Sequence, residues 1–410
     1  MNLVGALRDG GASTSGGRSL RLRSVLVVAQ VAVSVVLLVG AGLMVRSLIA
    51  LQRVDPGFET ERILTMKLDL NWSRYTTGDL VRQFHDRLHA RLAGQPGIVA
   101  TASTMVFPLE GRRRMGFEFA IEDRPREPGV ALPQGDYRSV SPDYFRTLGI
   151  PLVTGRLFTP DDQPAAPEVA LINQAMARRH WGTESPLGAR ISADSGRTWT
   201  TIVGVVGNVL QYGLDTEPAD EVYVPFAQSP TREGSFLVRT TGDPLAIVRR
   251  VEEEVQAIDA AQPLANVRTL EEIRTQSLAS PRVTTSLLGL FALLALLITG
   301  AGLAGLIAFS VSQRTQEIGV RMALGAERSE VLGMVLGEGL RLVAAGLVLG
   351  VLGAGVLTRL IGGLLYGVRA LDPLTFACVA GVLLAVAAAA CLIPARRAAT
   401  VDPMVALRST

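Results

Sequence analysis

Residues 24–45 read SVLVVAQVAVSVVLLVGAGLMV, a run without a charge that is closed by Arg23 and Arg46. About 20 apolar residues rising ~1.5 Å each cross the ~30 Å hydrocarbon core of a bilayer, so this run predicts a membrane-spanning helix. Equivalent runs extend from Val283 to Gln313, between Arg282 and Arg314, and from Pro373 to Ala395, between Asp372 and Arg396. A fourth span is expected at 331–357, interrupted by Glu338 and Arg341. Charges near a helix end reach the interface, and at a spacing of three these two share a face on which they can pair.

The composition agrees with a chain only partly in lipid. Its 410 residues are 48% hydrophobic and 19% charged, against about 25% charged in an average soluble domain. A wholly soluble enzyme, a disordered chain, a collagen and a disulfide scaffold are disfavoured. Aromatic residues at 5% do not interleave with basic clusters, which speaks against nucleic acid as a partner. Both cysteines, Cys378 and Cys391, fall inside the last apolar run and carry no information about redox compartment.

Arginine placement predicts orientation through the excess of positive charge in cytoplasmic flanks. Arg8, Arg18, Arg21 and Arg23 precede the first span, Arg314, Arg321 and Arg328 separate the second from the third, and Arg396, Arg397 and Arg408 follow the last. The expected order is a cytosolic segment 1–23, spans at 24–45, 283–313, 331–357 and 373–395, a cytosolic helix at 314–330, a short outer loop at 358–372 and a cytosolic tail at 396–410. Segment 46–282 then lies outside the cytoplasm. The first run exceeds the 7–15 residues of a signal-peptide core, so it reads as a retained anchor.

Segment 46–282 reads as α+β. Leu64, Met66, Leu68 and Leu70 alternate as in a strand, and from Asp79 a helix places Leu80, Phe84, Leu88 and Leu92 on one face. Strands follow at 98–106, 169–172, 201–206 and 236–239, with helices at 173–181 and 244–258. The Pro- and charge-rich stretch 107–135 suggests an insertion over roughly 107–200, and hence two subdomains.

Catalytic patterns are not found in this segment. His85 and His89 in HDRLH approach the zinc-protease spacing but offer Asp86 where Glu is required, and no third ligand is evident, so they read as solvated residues flanking an apolar stripe. Gly204–Gly207 (GVVG) is a glycine-bearing strand and not a dinucleotide loop. A phosphate-binding P-loop needs a Lys after a glycine-rich turn. Lys67 is the sole lysine and lacks that context, so these 410 residues hold no standard ATPase.

Between the second and third spans lies RTQEIGVRMALGA, 314–326. Glu317 and Arg321 stand at i, i+4 in the favourable order, while Ile318, Met322 and Gly325 line another face. Such a helix suits a partner's groove or, equally on its period, a membrane surface.

That run, after a long apolar helix, resembles the signature of MacB/FtsX-type permeases, the membrane subunits of ATP-binding cassette systems with the type VII fold. The ending PARRAATVDPMVALR (394–408) is similar to the family's C-terminal signature. SPDYFRTLGIPLVTGRLFT (141–159), VALINQAMARRHWG (169–182), TIVGVVGNV (201–209) and EVYVPFAQ (221–228) resemble the MacB-like periplasmic core domain. Leu3–Arg8 echoes Met404–Arg408, a further likeness to the second half of the duplicated permeases of acidobacteria.

The resemblance implies four transmembrane helices, a MacB-like core domain inserted between the first two, and an FtsX-like permease domain at 283–403. It implies a non-catalytic inner-membrane subunit that binds no cofactor itself, with ATP and Mg held by a separate ATPase. Further implied partners are a second permease half, either a copy or a first-half chain, and a periplasmic adaptor or lipoprotein. The work implied is export, efflux or extraction of a substrate driven by motion of the core domain. The ATPase-coupling residues carried over are Arg314, Glu317, Ile318, Gly319, Arg321, Leu324 and Gly325, with Met322 and Arg328 beside them. An alternative is an FtsX-like signalling or scaffold protein that regulates a periplasmic cell-wall hydrolase.

Overall fold

The computed structural model describes residues 14–111, 116–124, 131–194, 196–314, 317, 320–321, 327–360, 362–369 and 371–399. In chain order the first elements are α1 (Thr14–Gln52), β1 (Ile63–Asp69), α2 (Gly78–Leu92), β2 (Ile98–Thr104), β3 (Gly116–Glu118), β4 (Ala120–Ile121), β5 (Gln134–Val140) and α3 (Tyr144–Leu148). Next come β6 (Leu152–Gly155), β7 (Val169–Asn173), α4 (Gln174–Trp181), β8 (Arg190–Ser192), β9 (Thr200–Val206), β10 (Glu221–Pro225) and β11 (Glu233–Thr240). A 3₁₀ turn (Pro244–Ile247) leads into α5 (Val248–Ile258), then β12 (Ala265–Thr269), α6 (Leu270–Ser277), α7 (Ala279–Gln313), α8 (Arg328–Leu360) and α9 (Pro373–Ala399). The chain divides into two compact units, 1–53 with 280–410, and 54–279.

The first unit is helical. Among the described residues four helices, within α1, α7, α8 and α9, are long and apolar enough to cross a membrane. At 39 and 35 residues, α1 and α7 extend ~50–60 Å at ~1.5 Å per residue, well beyond a ~30 Å hydrocarbon core. Lipid supplies no hydrophobic drive between helices, so association rests on close packing and on polar contacts. Both are present. Gly346 and Gly350, one turn apart on α8, face Val31 and Val35 of α1. A Cβ on Gly346 would lie 2.6 Å from the Val31 Cβ, and one on Gly350 would lie 2.5 Å from the Val35 Cβ. Between α1 and α7, Ser34 Oγ and Thr299 Oγ1 are 2.7 Å apart. Ser34 also donates to the Ala295 carbonyl at 3.1 Å, so the Thr299 hydroxyl is the donor of the pair. Beyond α8, Asp372 accepts from the Thr375 N–H at 2.9 Å at the start of α9 and pairs with Arg46 of α1.

The second unit is built on one twelve-stranded mixed sheet, ordered β12-β1-β11-β2-β5-β10-β7-β9-β8-β4, with β3 beside β5 and β6 beside β9. The pairs β5–β10 and β7–β9 are parallel. The stretch 107–200, expected as an insertion, weaves its strands into this same sheet. Alternation in β1 sends Leu64, Met66 and Leu68 to one face, where Phe84, Leu88 and Leu92 of α2 and Val251 and Val255 of α5 cover them. The other face receives Ile63, Ala102 and Leu237 under Tyr144, Phe145 and Leu148 of α3. The helix α2 is rotated from the expected stripe. Leu80 is 39% exposed, and Val81, Phe84, His85, Leu88 and Leu92 point inward at helical spacing.

Gly204 of the GVVG run sits where a Cβ would meet the Arg156 carbonyl at 2.4 Å, so its lack of a side chain lets β6 lie against β9. In EVYVPFAQ, Glu221 is fully buried beside Arg138 of β5, at 3.5 Å, and accepts from the Tyr223 hydroxyl. A buried charge is tolerable only with such partners.

The glycine contact gives a testable contrast. Gly346→Ala is expected to lower stability by roughly 1–3 kcal/mol, as overpacking does. Gly353→Ala, whose Cβ would meet Val36 at an ordinary 3.5 Å, should be close to neutral. Thermal unfolding of the full chain in detergent measures both, and equal effects would overturn the packing account.

Candidate functional site

At the turn after α7 the chain changes character within a few residues. The Arg314 N–H closes the helix on the Val311 carbonyl at 3.1 Å, and its guanidinium reaches Glu338 of α8 at 3.3 Å. Ser310 donates to the same carboxylate at 3.4 Å. Glu338 was expected to pair with Arg341 on its own helix. It pairs instead across the turn, because the end of α7 lies against that face of α8. Glu317 and Arg321 form the expected i, i+4 ion pair at 2.7 Å, each about half exposed. Arg321 also donates to the Met334 sulfur at 3.5 Å. Exposed pairs of this kind contribute well under ~1 kcal/mol to folding, so their use lies in orienting charge.

Two adjoining clefts share the wall formed by Ile307, Ser310, Arg314 and Glu338. One is about 420 Å³ and opens toward Ser24 and Val25 of α1, while the other opens toward Glu317, Arg321 and Met334. Near the same end of α7, Arg23 stacks its guanidinium over Phe309 at 4.1 Å. Of the sequence-derived coupling residues, Arg314, Glu317 and Arg321 are brought together here. Ile318, Gly319, Met322, Leu324 and Gly325 lie outside the described residues, and for Arg328 only the backbone, at the start of α8, is described. Two further residues adjoin these three in the structure. Val320 is 42% exposed beside the ion pair, and Met334 receives Arg321. Exposure of a valine on a charged helix is the signal that reading by period misses.

His85 and His89 in the other unit read from the sequence as solvated, but His85 is buried and His89 is half-buried. His85 is 2% exposed because it falls four residues after Val81, inside the buried stripe. Its Nδ1 is 2.7 Å from Ser103 Oγ, which is 2.9 Å from His89 Nε2, and His89 Nδ1 is 2.7 Å from Thr101 Oγ1. Burial pushes His85 down to about 3 and His89 down to about 4. Both are therefore neutral at pH 7, in a chain of hydroxyl and imidazole groups that alternate donor and acceptor. Among the described residues no group of three His, Cys, Asp or Glu is placed to hold a metal ion.

Comparison with known proteins bears on the whole arrangement. The family described as MacB-like periplasmic core domain matches residues 24–267, and the one described as FtsX-like permease C-terminal matches 289–403.

This chain belongs to the MacB/FtsX-type family of ATP-binding cassette transporter permeases.

Among relatives of this permease, the uncharacterized ABC transporter permease YknZ of Bacillus subtilis is 28% identical over 282 residues, covering 66% of this chain and 68% of that one. The macrolide export ATP-binding/permease protein MacB of Wolinella succinogenes is 30% identical over 289 residues, covering 66% of this chain and 43% of the other. The permease thus spans well under half of that fused protein. A solved structure of the periplasmic region of MacB from Actinobacillus actinomycetemcomitans covers 54% of this chain and 94% of its own, at 14% identity and a TM-score of 0.37. The turn carrying Arg314, Glu317 and Arg321 lies within the matched FtsX-like region.

The histidine pair predicts a pH dependence. Their folded pKa values lie below the unfolded ~6.5, so the unfolded chain binds more protons between about pH 4 and 6.5 and stability falls as pH drops through that window. Each histidine contributes up to about 1.4 kcal/mol per pH unit there. Unfolding of the full chain at pH 7 and pH 5 should show this loss, and His85→Gln should reduce it; an unchanged pH slope would refute the assignment.

Proposed function

We propose that this permease couples ATP hydrolysis in a separate ATP-binding cassette subunit to motion of its core domain, for export or extraction of a substrate. The observation that carries the reading is the turn after α7. Glu317 and Arg321 stand exposed on a helical segment that Arg314 ties to Glu338 of α8. A displacement of that segment is passed to two membrane helices together, because one continues it and the other is bonded to it. The name of the Wolinella relative joins ATP-binding and permease functions, which supports an ATPase as the partner.

The orientation we infer follows arginine placement: the turn and both helix ends near it face the cytosol, the core domain the opposite side. Arg314, Glu317 and Arg321 contact the ATPase, and Ile318, Gly319, Leu324 and Gly325 extend that surface. Assembly with a second permease, a copy or a first-half chain, completes the unit, and the echo of Leu3–Arg8 in Met404–Arg408 supports descent from a duplicated permease. The core domain offers the surface for an adaptor or a lipoprotein. ATP and Mg belong to the ATPase.

Glu317→Ala with Arg321→Ala should leave thermal unfolding within ~1 kcal/mol of the parent, since exposed pairs add little, yet abolish co-purification of the ATPase from membranes of the native host. Retention of the ATPase by the double variant would reject the coupling surface. A phosphatase reporter fused after Gly155 should be active outside the cytoplasm, and a reporter active only inside would reverse the orientation.

A further inference from the structure

The sheet of the core domain has an opening in its middle. Strand β2 pairs with β11 from Thr104 back to Ala100 and, after a register shift that leaves Val99 without a partner in the ladder, at Ile98. On its other edge β5 meets it only at Thr104↔Val140, and β3 takes the far end of β5. Past that junction the Ser103 N–H donates to Ser141 Oγ at 2.9 Å, and the Ser141 N–H donates to the Ser103 carbonyl at 2.9 Å. The chain then turns away through Pro142 and Asp143 into α3.

Those bonds fix which backbone groups of β2 face the open edge. Ser103 points its N–H and C=O outward and, two residues earlier, Thr101 does the same. No hydrogen bond from the Thr101 main chain to another described residue is present on that side. A cavity of about 520 Å³ runs along this edge, lined by Ile98–Thr101, by Ser141–Asp143 and by His85, His89 and Ala90 of α2. His85 is among the lining residues, with its Nε2 buried away from the opening. The cavity wall is therefore a strand edge flanked on one side by α2.

A strand edge is complemented by another strand, because main-chain donors and acceptors alternate at a spacing that only an extended backbone repeats. We infer that this slot binds an extended polypeptide segment of another protein, antiparallel to β2, which exchanges two main-chain bonds with Thr101. Five residues, 98–102, give a footprint of ~16 Å at ~3.3 Å per residue. Val99, 49% exposed, offers the apolar contact at the outer end. The inference goes beyond the coupling reading and stands apart from it, since binding is read without nucleotide or ATPase.

The test uses the full chain in lipid nanodiscs, panned against a library of random linear eight-residue peptides, with enriched peptides resynthesised for titration. The expected result has two parts. Ala90→Trp, at an exposed position lining the slot, weakens binding at least tenfold, as does Val99→Arg should the first variant fail to fold. N-methylation of the one peptide residue that faces Thr101 abolishes binding, and N-methylation of its two neighbours spares it. Peptides that bind both variants like the parent, N-methyl scans in which no single position stands out from its neighbours, or no enriched peptide at all would each overturn the proposal. Binding of compact small molecules alone in the slot would do the same.

Discussion

The contact of Gly346 and Gly350 with Val31 and Val35 is the constraint on which the membrane unit depends. Without a hydrophobic drive in lipid, dispersion between closely approaching backbones has to hold α1 to α8, and two glycines a turn apart permit that approach. Once these helices are fixed, α9 packs its Val379, Leu383 and Ala387 into the same cluster, and Thr299 reaches Ser34 to attach α7. The Arg314–Glu338 bridge at the turn is possible because α7 and α8 are already set. Close packing and charge are thus divided between different residues. The interior of the bundle is glycine and aliphatic side chains, and the ion pairs at the turn are half exposed.

Much of this was legible in the chain itself. Long, mostly uncharged runs mark four helices because crossing a bilayer sets a minimum apolar length, and β1 and α2 declare themselves through alternation and helical period. The rest required tertiary information. Leu80 and Val81 are equally apolar, and only packing against β1 decides that Val81 turns inward and carries His85 with it. Strands such as β6, exposed at all four residues, and β4, two residues long, have no pattern of their own and exist because β9 and β8 pair with them. Glu338 could not be matched to Arg314 from spacing, since 24 residues separate them. At the turn after α7 the Glu317–Arg321 pair follows from charge and period, whereas the exposure of Val320 and the contact of Met334 with Arg321 are visible only in the structure. The open edge of β2 is a property of strand order, which no single segment encodes.

The core domain shows how one sheet can be both a scaffold and a recognition surface. Most of its strands have neighbours on both edges, which removes the usual hazard of unpaired backbone. Leaving one edge open inside a slot between helices limits access to a chain thin enough to enter.

The way the core domain is tethered has a mechanical consequence. Its first strand, β1, and its last, β12, are antiparallel neighbours, with Leu64 opposite Thr269. The start of β1 and the end of β12 therefore lie side by side at one edge of the sheet. A load shared equally by these two strand ends leaves the ladder between them unstrained. A pull on one tether alone loads the β1–β12 ladder like a zipper, bond by bond, and that ladder is short and interrupted by a bulge between Thr65 and Lys67. The β1–β12 pair is thus built to resist a load shared by its two ends and is weak against a differential one.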